Sequence, residues 1–328
     1  MSKDDLIILT GGAGFIGSCF LWKLNQEDEK NIIVVDHNDS AVKMKNLDGK
    51  KYADYLEKDD FIKEVKRDKL PKNIKAIFHV GACSSTTETN AEYLESNNTE
   101  YSRILCGYSL IHNIPFYYAS SAATYGDGSQ GYSDEDKATP KFSPMNLYGK
   151  SKHDFDLWVI DHKLTDKVVG FKYFNVFGPN EYHKGDMRSV VVKAYEQIKK
   201  DGKMRLFKSY KPEYKDGEQK RDFVYIKDCV DLMYKFYQNG KVKGIFNLGT
   251  GKARTWNNLA KAIFSALGIP PNIEYIDMPE AIKDKYQYFT EADLGKLKRA
   301  GMRPKFTSLE NAVEDYVKNY LEKDFARL

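Results

Sequence analysis

Apolar residues gather first in short, nearly continuous runs. Leu6–Thr10, Asn31–Asp36, Ala76–Ala82, Pro115–Ser121 and Val168–Val176 are five of them, and Ile245–Leu248 is a later one. Runs of this length with little polar alternation predict parallel strands buried on both faces. Helical patterns separate the first five, so the chain reads as repeated strand–helix–strand units, an α/β protein with a doubly wound parallel sheet. After about residue 180 the pattern loosens, and Lys199–Lys220 is a long charged segment with Asp-Gly and Lys-Pro turn signals. Near the end, Leu309, Val313, Tyr316, Val317 and Tyr320 share one helical face, and Thr307 with Glu310 has the spacing of a capping box.

Composition narrows the class without naming it. The chain has 328 residues, 41% hydrophobic and 30% charged, which fits a globular protein larger than one average domain. The formal charge of +4 is small and spread out, so nucleic acid is not an expected partner. The lysines of 63–75 read as a solvated surface. The start is charged, with no secretory signal, and no stretch approaches the ~18 apolar residues that a membrane span needs. Cys19, Cys83, Cys106 and Cys229 are scattered without CxxC spacing, as expected of a reduced, cytoplasmic protein. His79 and Cys83 lie at a strand end with no second ligand pair, so no metal is expected.

Candidate chemistry begins directly after the first strand. Thr10-Gly11-Gly12-Ala13-Gly14-Phe15-Ile16-Gly17 places glycines at the spacing Gly11-x-x-Gly14-x-x-Gly17, a variant of the Rossmann dinucleotide fingerprint. Glycine suits the tight turn, the close backbone approach to a pyrophosphate and the packing of the following helix, whose free N–H groups face the anion. The second strand ends in Asp36, near the position expected to bond the adenosine ribose. Alone, that carboxylate favours NAD over NADP; His37 and Lys43 follow closely and could pair with a 2′-phosphate, so both cofactors stay open. The expected organisation is residues 1–175 as a dinucleotide-binding domain, with a return near 221–250, and 176–328 mainly as a smaller α/β substrate-binding lobe.

Tyr148-Gly149-Lys150-Ser151-Lys152 puts Tyr148 and Lys152 on one helical face. A phenol with a pKa near ~10 is a poor base at neutral pH, and an adjacent ammonium is expected to lower that value. The pair could then take a proton from a sugar hydroxyl as hydride leaves. Ser121, at the end of the fourth strand, could hydrogen-bond the same hydroxyl.

These motifs resemble the extended short-chain dehydrogenase/reductase superfamily, the nucleotide-sugar epimerases and dehydratases. The resemblance takes in residues 10–17, Ser120–Gly126, Tyr148–Lys152, Arg221–Tyr225 and Asn247–Gly251. A narrower likeness, carried by Gly81–Glu88, Phe174–Pro179, His183-Lys184-Gly185 and Tyr286–Thr290, is to the branch that epimerises C6 of an ADP-activated heptose for the lipopolysaccharide core. The resemblance implies a tightly held NADP(H), a homo-oligomer and a two-base mechanism with Tyr148 on one side of the sugar carbon and Lys184 on the other. It points to Phe15, Ile16, Asp36, His37, Lys43, Lys58, Ser84, Asn97 and Lys152 around the cofactor, and to Asn175, Val176, Lys184, Asp186, Lys193, Arg221 and Tyr286 around the substrate. Arg221 would suit the diphosphate. The chain departs from that branch at Val80, Asp186, Lys193 and Phe207–Tyr210, and not at Ser121, Tyr148, Lys152 or Lys184.

A 4,6-dehydratase needs an acid and a base beside the catalytic hydroxyl, and Ala122 and Ala123 cannot transfer protons. A C4-epimerase of another nucleotide sugar would use Tyr148 alone, leaving Lys184 as a binding group. A non-catalytic nucleotide sensor on this fold would have no need of both Tyr148 and Lys152.

Overall fold

The computed structural model describes residues 5–283 and 286–328. Its centre is a sheet of seven parallel strands. These are β1 (Leu6–Thr10), β2 (Ile32–Asp36), β3 (Asp54–Glu57), β4 (Ile74–His79), β5 (Phe116–Ser121), β6 (Val168–Tyr173) and the strand Gly244–Leu248. They lie in the order Gly244–Leu248, β6, β5, β4, β1, β2, β3. From β1 the chain builds one edge through β2 and β3, then crosses back to β4 and builds the other. The reversal between β1 and β4 leaves a crevice at the strands' carboxyl ends, where doubly wound sheets bind ligands.

The apolar runs fold this way because both sheet faces are covered. Along β1, Ile7 and Leu9 join one core cluster and Leu6 and Ile8 the other, the alternation of a pleated strand. The first cluster packs the sheet on helices Phe15–Gln26, Ile226–Asn239, Trp256–Ala266 and Leu309–Asn319. The second packs it on helices Lys58–Lys66, Tyr101–Ile111 and Leu147–Asp161.

Several sequence expectations need correction. The run Val168–Val176 is not one strand: it breaks at Phe174, and Asn175–Phe177 pairs separately with Phe223–Tyr225. The run Ala76–Ala82 is shifted, because the strand spans Ile74–His79 and ends where the chain turns into the crevice. The edge strand Asp54–Glu57 escaped notice because it is polar and partly exposed. Within the charged segment 199–220, Met204–Phe207 forms a strand parallel to Ile273–Ile276. The last helix is capped by Ser308, whose hydroxyl accepts from the Asn311 N–H at 3.3 Å, and not by Thr307. Thr307 instead donates to Asp228 from its N–H and hydroxyl, at 2.8 and 2.9 Å, and Glu310 pairs with Arg254.

Candidate active site

A cleft of about 730 Å³ opens over the carboxyl ends of β1, β4 and β5. One wall is the start of helix Phe15–Gln26. Its cap is Gly14, which offers no side chain, and its first turn holds no acidic residue. Such a terminus leaves N–H groups and a partial positive charge available to an anion. The turn before it is a backbone cradle. Gly11 has φ +70°, and a Cβ there would sit 2.5 Å from the Gly81 nitrogen; a Cβ on Gly17 would sit 2.0 Å from the Gly11 carbonyl. No larger residue fits at either point, so the cradle suits a pyrophosphate pressed against bare backbone. Gly11, Gly14, Phe15, Ile16 and Gly17 all line the cleft.

At one end of the cleft, Asp36 accepts from the N–H groups of Ala13 and His37 at 2.8 and 2.7 Å. Lys43 bridges Asp36 and Asp39 at 3.2 and 2.6 Å. The His37 ring lies 3.2 Å from Glu57, and Lys58 donates to the neutral amide of Asn97 at 2.5 Å. Asp36, His37, Lys43, Lys58, Ser84 and Asn97 all line the cleft here.

At the other end, Ser121 closes β5, and Tyr148 and Lys152 project from helix Leu147–Asp161. That helix begins sharply because the Asn146 side chain accepts from the Gly149 N–H at 2.8 Å. The expectation that Lys152 lowers the phenol's pKa is not met in this pocket. Burial raises the Tyr148 pKa, a hydrogen bond with Ser121 opposes the rise, and Cys83 adds to it. Burial in turn pushes Lys152 down to about 8, against the pull of Asp156 and Cys83. Desolvation is the largest cause of both shifts.

Lys184 sits on the tight turn Tyr182–Met187, half-buried, with its amine 5.6 Å from the Phe15 ring centre. Burial lowers its pKa and Glu181 partly restores it. His183 beside it is pushed down to about 4 by burial and by Lys184. Tyr148 and Lys184 thus line one cleft from different elements, together with Asn175 and Val176 of the strand paired with Phe223–Tyr225.

Four expected substrate residues lie outside this lining. Asp186 is exposed and takes the Lys193 amine on its carbonyl. Arg221 donates to the carbonyls of Lys220 and Gln287 and stacks near Trp256 and Tyr286, at 5.8 and 5.3 Å, one layer behind the cleft wall. Two of its five N–H donors are held by these backbone carbonyls.

Sequence reasoning missed the buried Lys172–Asp156 pair, and it weighed His79 only as a metal ligand. Lys172 in β6 and Asp156 on helix Leu147–Asp161 form an ion pair at 2.5 Å, and Asp156 also accepts from the Ser120 hydroxyl at 2.7 Å. A lysine inside an otherwise apolar strand was the available signal. His79 at the end of β4 holds Thr10 at 2.7 Å and Ser102 at 2.9 Å on its two ring nitrogens. The Ser102 proton goes to the Asn98 carbonyl, so Nε2 carries the ring hydrogen and Nδ1 accepts from Thr10. Burial and Lys152 push its pKa down to about 3, so it stays neutral and fixes the floor of the cleft.

A glycine cradle at the switch point of a doubly wound sheet, with a serine, tyrosine and lysine gathered beside it, defines an enzyme of the extended short-chain dehydrogenase/reductase type. More particularly, the chain belongs to the NAD dependent epimerase/dehydratase family, which it matches over residues 7–249. It is 52% identical to a Nitratidesulfovibrio vulgaris protein named ADP-L-glycero-D-manno-heptose-6-epimerase, over 96% of this chain and 98% of that one. A Fusobacterium nucleatum protein of the same name is 46% identical over 97% and 99% of the two chains. The crystal structure of the Helicobacter pylori protein of that name superposes with a TM-score of 0.79 at 27% identity, covering 97% of this chain and 96% of the other.

Proposed function

We propose that this chain interconverts ADP-D-glycero-D-manno-heptose and ADP-L-glycero-D-manno-heptose at C6, with NADP as cofactor. The observation that carries the reading is the pair of proton-transfer groups, Tyr148 and Lys184, reaching one cleft above a pyrophosphate cradle. The names of relatives that match nearly the whole chain supply the sugar. When bound, the nicotinamide supplies a store that takes a hydride from the sugar carbon and gives it back, so the net redox change is zero. The protein's residues do the rest. One of Tyr148 and Lys184 takes the proton of the C6 hydroxyl, leaving a ketone. The ketone turns over, receives the hydride on its opposite face, and takes its proton from the other group. Ser121 orients the oxygen beside Tyr148. With two groups a smaller rotation suffices, whereas a single one would require the whole substrate to flip. The four free cysteines fit a reducing cytoplasm.

Incubation with ADP-D-glycero-D-manno-heptose, followed by NMR, is expected to give the L-glycero epimer, with UDP-glucose unchanged beside it. Conversion of UDP-glucose alone would favour a C4-epimerase. Binding of NADPH with no turnover of either sugar would leave a nucleotide sensor.

The NADP reading rests on Lys43, Lys58 and His37 at the Asp36 end. Lys58 is the group most available to a 2′-phosphate, since its partner is the uncharged Asn97 amide. Lys58→Ala is expected to weaken NADPH binding by about 10-fold or more relative to NADH, the worth of one hydrogen bond to a charged group. Fluorescence titration of the two nucleotides measures this, and equal losses for both would argue that Lys58 touches no 2′-phosphate.

A further inference from the structure

Glu181 is only 1% exposed, yet it lies against the cleft. Its carboxylate is a meeting point of donors. One oxygen accepts from the Ser189 hydroxyl at 2.7 Å, the Tyr316 phenol at 3.0 Å and the Gly178 N–H at 3.3 Å. The other accepts from the Ser189 N–H. These donors come from three places: Gly178, just after the strand Asn175–Phe177; Ser189, the cap of helix Val190–Asp201; and Tyr316 on helix Leu309–Asn319. Between Gly178 and Ser189 runs the turn that carries Lys184, and its backbone leaves helical space at Gly185, with φ 53° and ψ −124°.

We propose that Glu181 is the positioning residue of the Lys184 turn, tying the start of the segment to its end and to the last helix, and so fixing where the Lys184 amine enters the cleft. This rests on the reading of Lys184 as a proton-transfer group. A carboxylate is the side chain that suits the place, because its two oxygens can accept all four donors, whereas an amide offers one acceptor oxygen. A buried carboxylate is tolerated only when so satisfied. Burial raises the Glu181 pKa, and the Ser189 and Gly178 bonds hold it back.

The test compares Glu181→Ala, Glu181→Gln, Ser189→Ala and Lys184→Met in the full-length protein. Steady-state turnover is measured together with the single-turnover appearance of reduced nicotinamide from each heptose epimer. Glu181→Ala is expected to lower kcat by about 10²-fold, the scale of an ångström-sized misplacement of a reacting group. KM and dinucleotide affinity stay unchanged. The loss falls on oxidation of one epimer, the same one that Lys184→Met slows, and Glu181→Gln recovers part of it. If Glu181→Ala slows both epimers alike, or weakens binding without lowering kcat, Glu181 does not position Lys184. If that variant does not fold, Ser189→Ala decides: slowing of the same epimer supports the assignment, and an unchanged rate overturns it. Should Lys184→Met leave both half-reactions intact, the two-group reading fails, and this inference falls with it. If Lys184→Met is impaired while all Glu181 and Ser189 variants are normal, only the present inference is lost.

Discussion

Tyr148→Phe is expected to lower kcat by about 10²–10⁴-fold, the range for removing one general acid–base group, while the protein still folds and still binds the dinucleotide. The substitution deletes a single oxygen. That oxygen is held by Ser121 at the end of β5, inside a wall otherwise made by the sheet and helix Leu147–Asp161, so the ring and its packing remain. Burial raises the phenol's pKa, so the resting group carries its proton and is ready as an acid. To act as a base it needs positive charge nearby, and Lys152 on the same helical face is the group placed to supply it. Since burial has pushed Lys152 down to about 8, its ammonium is present below that pH and lost above it. Activity should therefore fall as pH rises through that value, and Tyr148→Phe should leave only a low residual rate across the range. The measurements are kcat against pH and calorimetric binding of NADPH. A phenylalanine variant with near-normal turnover would remove Tyr148 from the mechanism and move attention to Lys184 alone.

How far the sequence could be read depended on whether the determining interaction was local. The β1 run, the glycines after it and Asp36 lie within thirty-odd residues, and steric need for glycine together with two-faced burial made them legible. The Tyr148–Lys152 spacing was legible as one helical turn, but the direction of the phenol's pKa was not. That sign depends on how deeply the third dimension buries the pair, and desolvation won. The same limit applies to Arg221, whose guanidinium suggested a diphosphate partner. Two of its five N–H donors go to the carbonyls of Lys220 and Gln287, the second contributed by a segment 66 residues away. The cap of the last helix failed for a subtler reason. Thr307 satisfies the local pattern, but Asp228 on another helix captures it, leaving the adjacent Ser308 to cap. Glu181 gave no periodic or motif signal, because its donors are a loop N–H at Gly178, Ser189 at a helix cap and Tyr316 far along the chain.

Lys172→Met is expected to cost the largest share of stability, about 3–5 kcal/mol, because it leaves a buried carboxylate without its counter-ion. Lys172 and Asp156 are both 0% exposed and 2.5 Å apart. Lys172 also donates to Thr124 at 2.8 Å and sits 5.2 Å from the Tyr125 ring centre. Asp156 would keep only the Tyr118 and Ser120 hydroxyls, at 2.8 and 2.7 Å. Those hydroxyls satisfy part of the carboxylate but supply no countercharge. A domain with a total of about 5–15 kcal/mol would lose much of its margin. The double variant Lys172→Met, Asp156→Leu removes both charges, and its urea midpoint should return toward the parent's. Its activity should not return with it. Asp156 lies one turn from Lys152 and raises that lysine's pKa, so without it the ammonium is lost at lower pH. The alkaline limb of kcat must then move toward acid even as the fold recovers. Stability and catalysis would come apart along one buried pair. A single variant with the parent's urea midpoint would show that the ion pair contributes nothing to the fold, and an unmoved alkaline limb in the double variant would show that Asp156 does not reach Lys152.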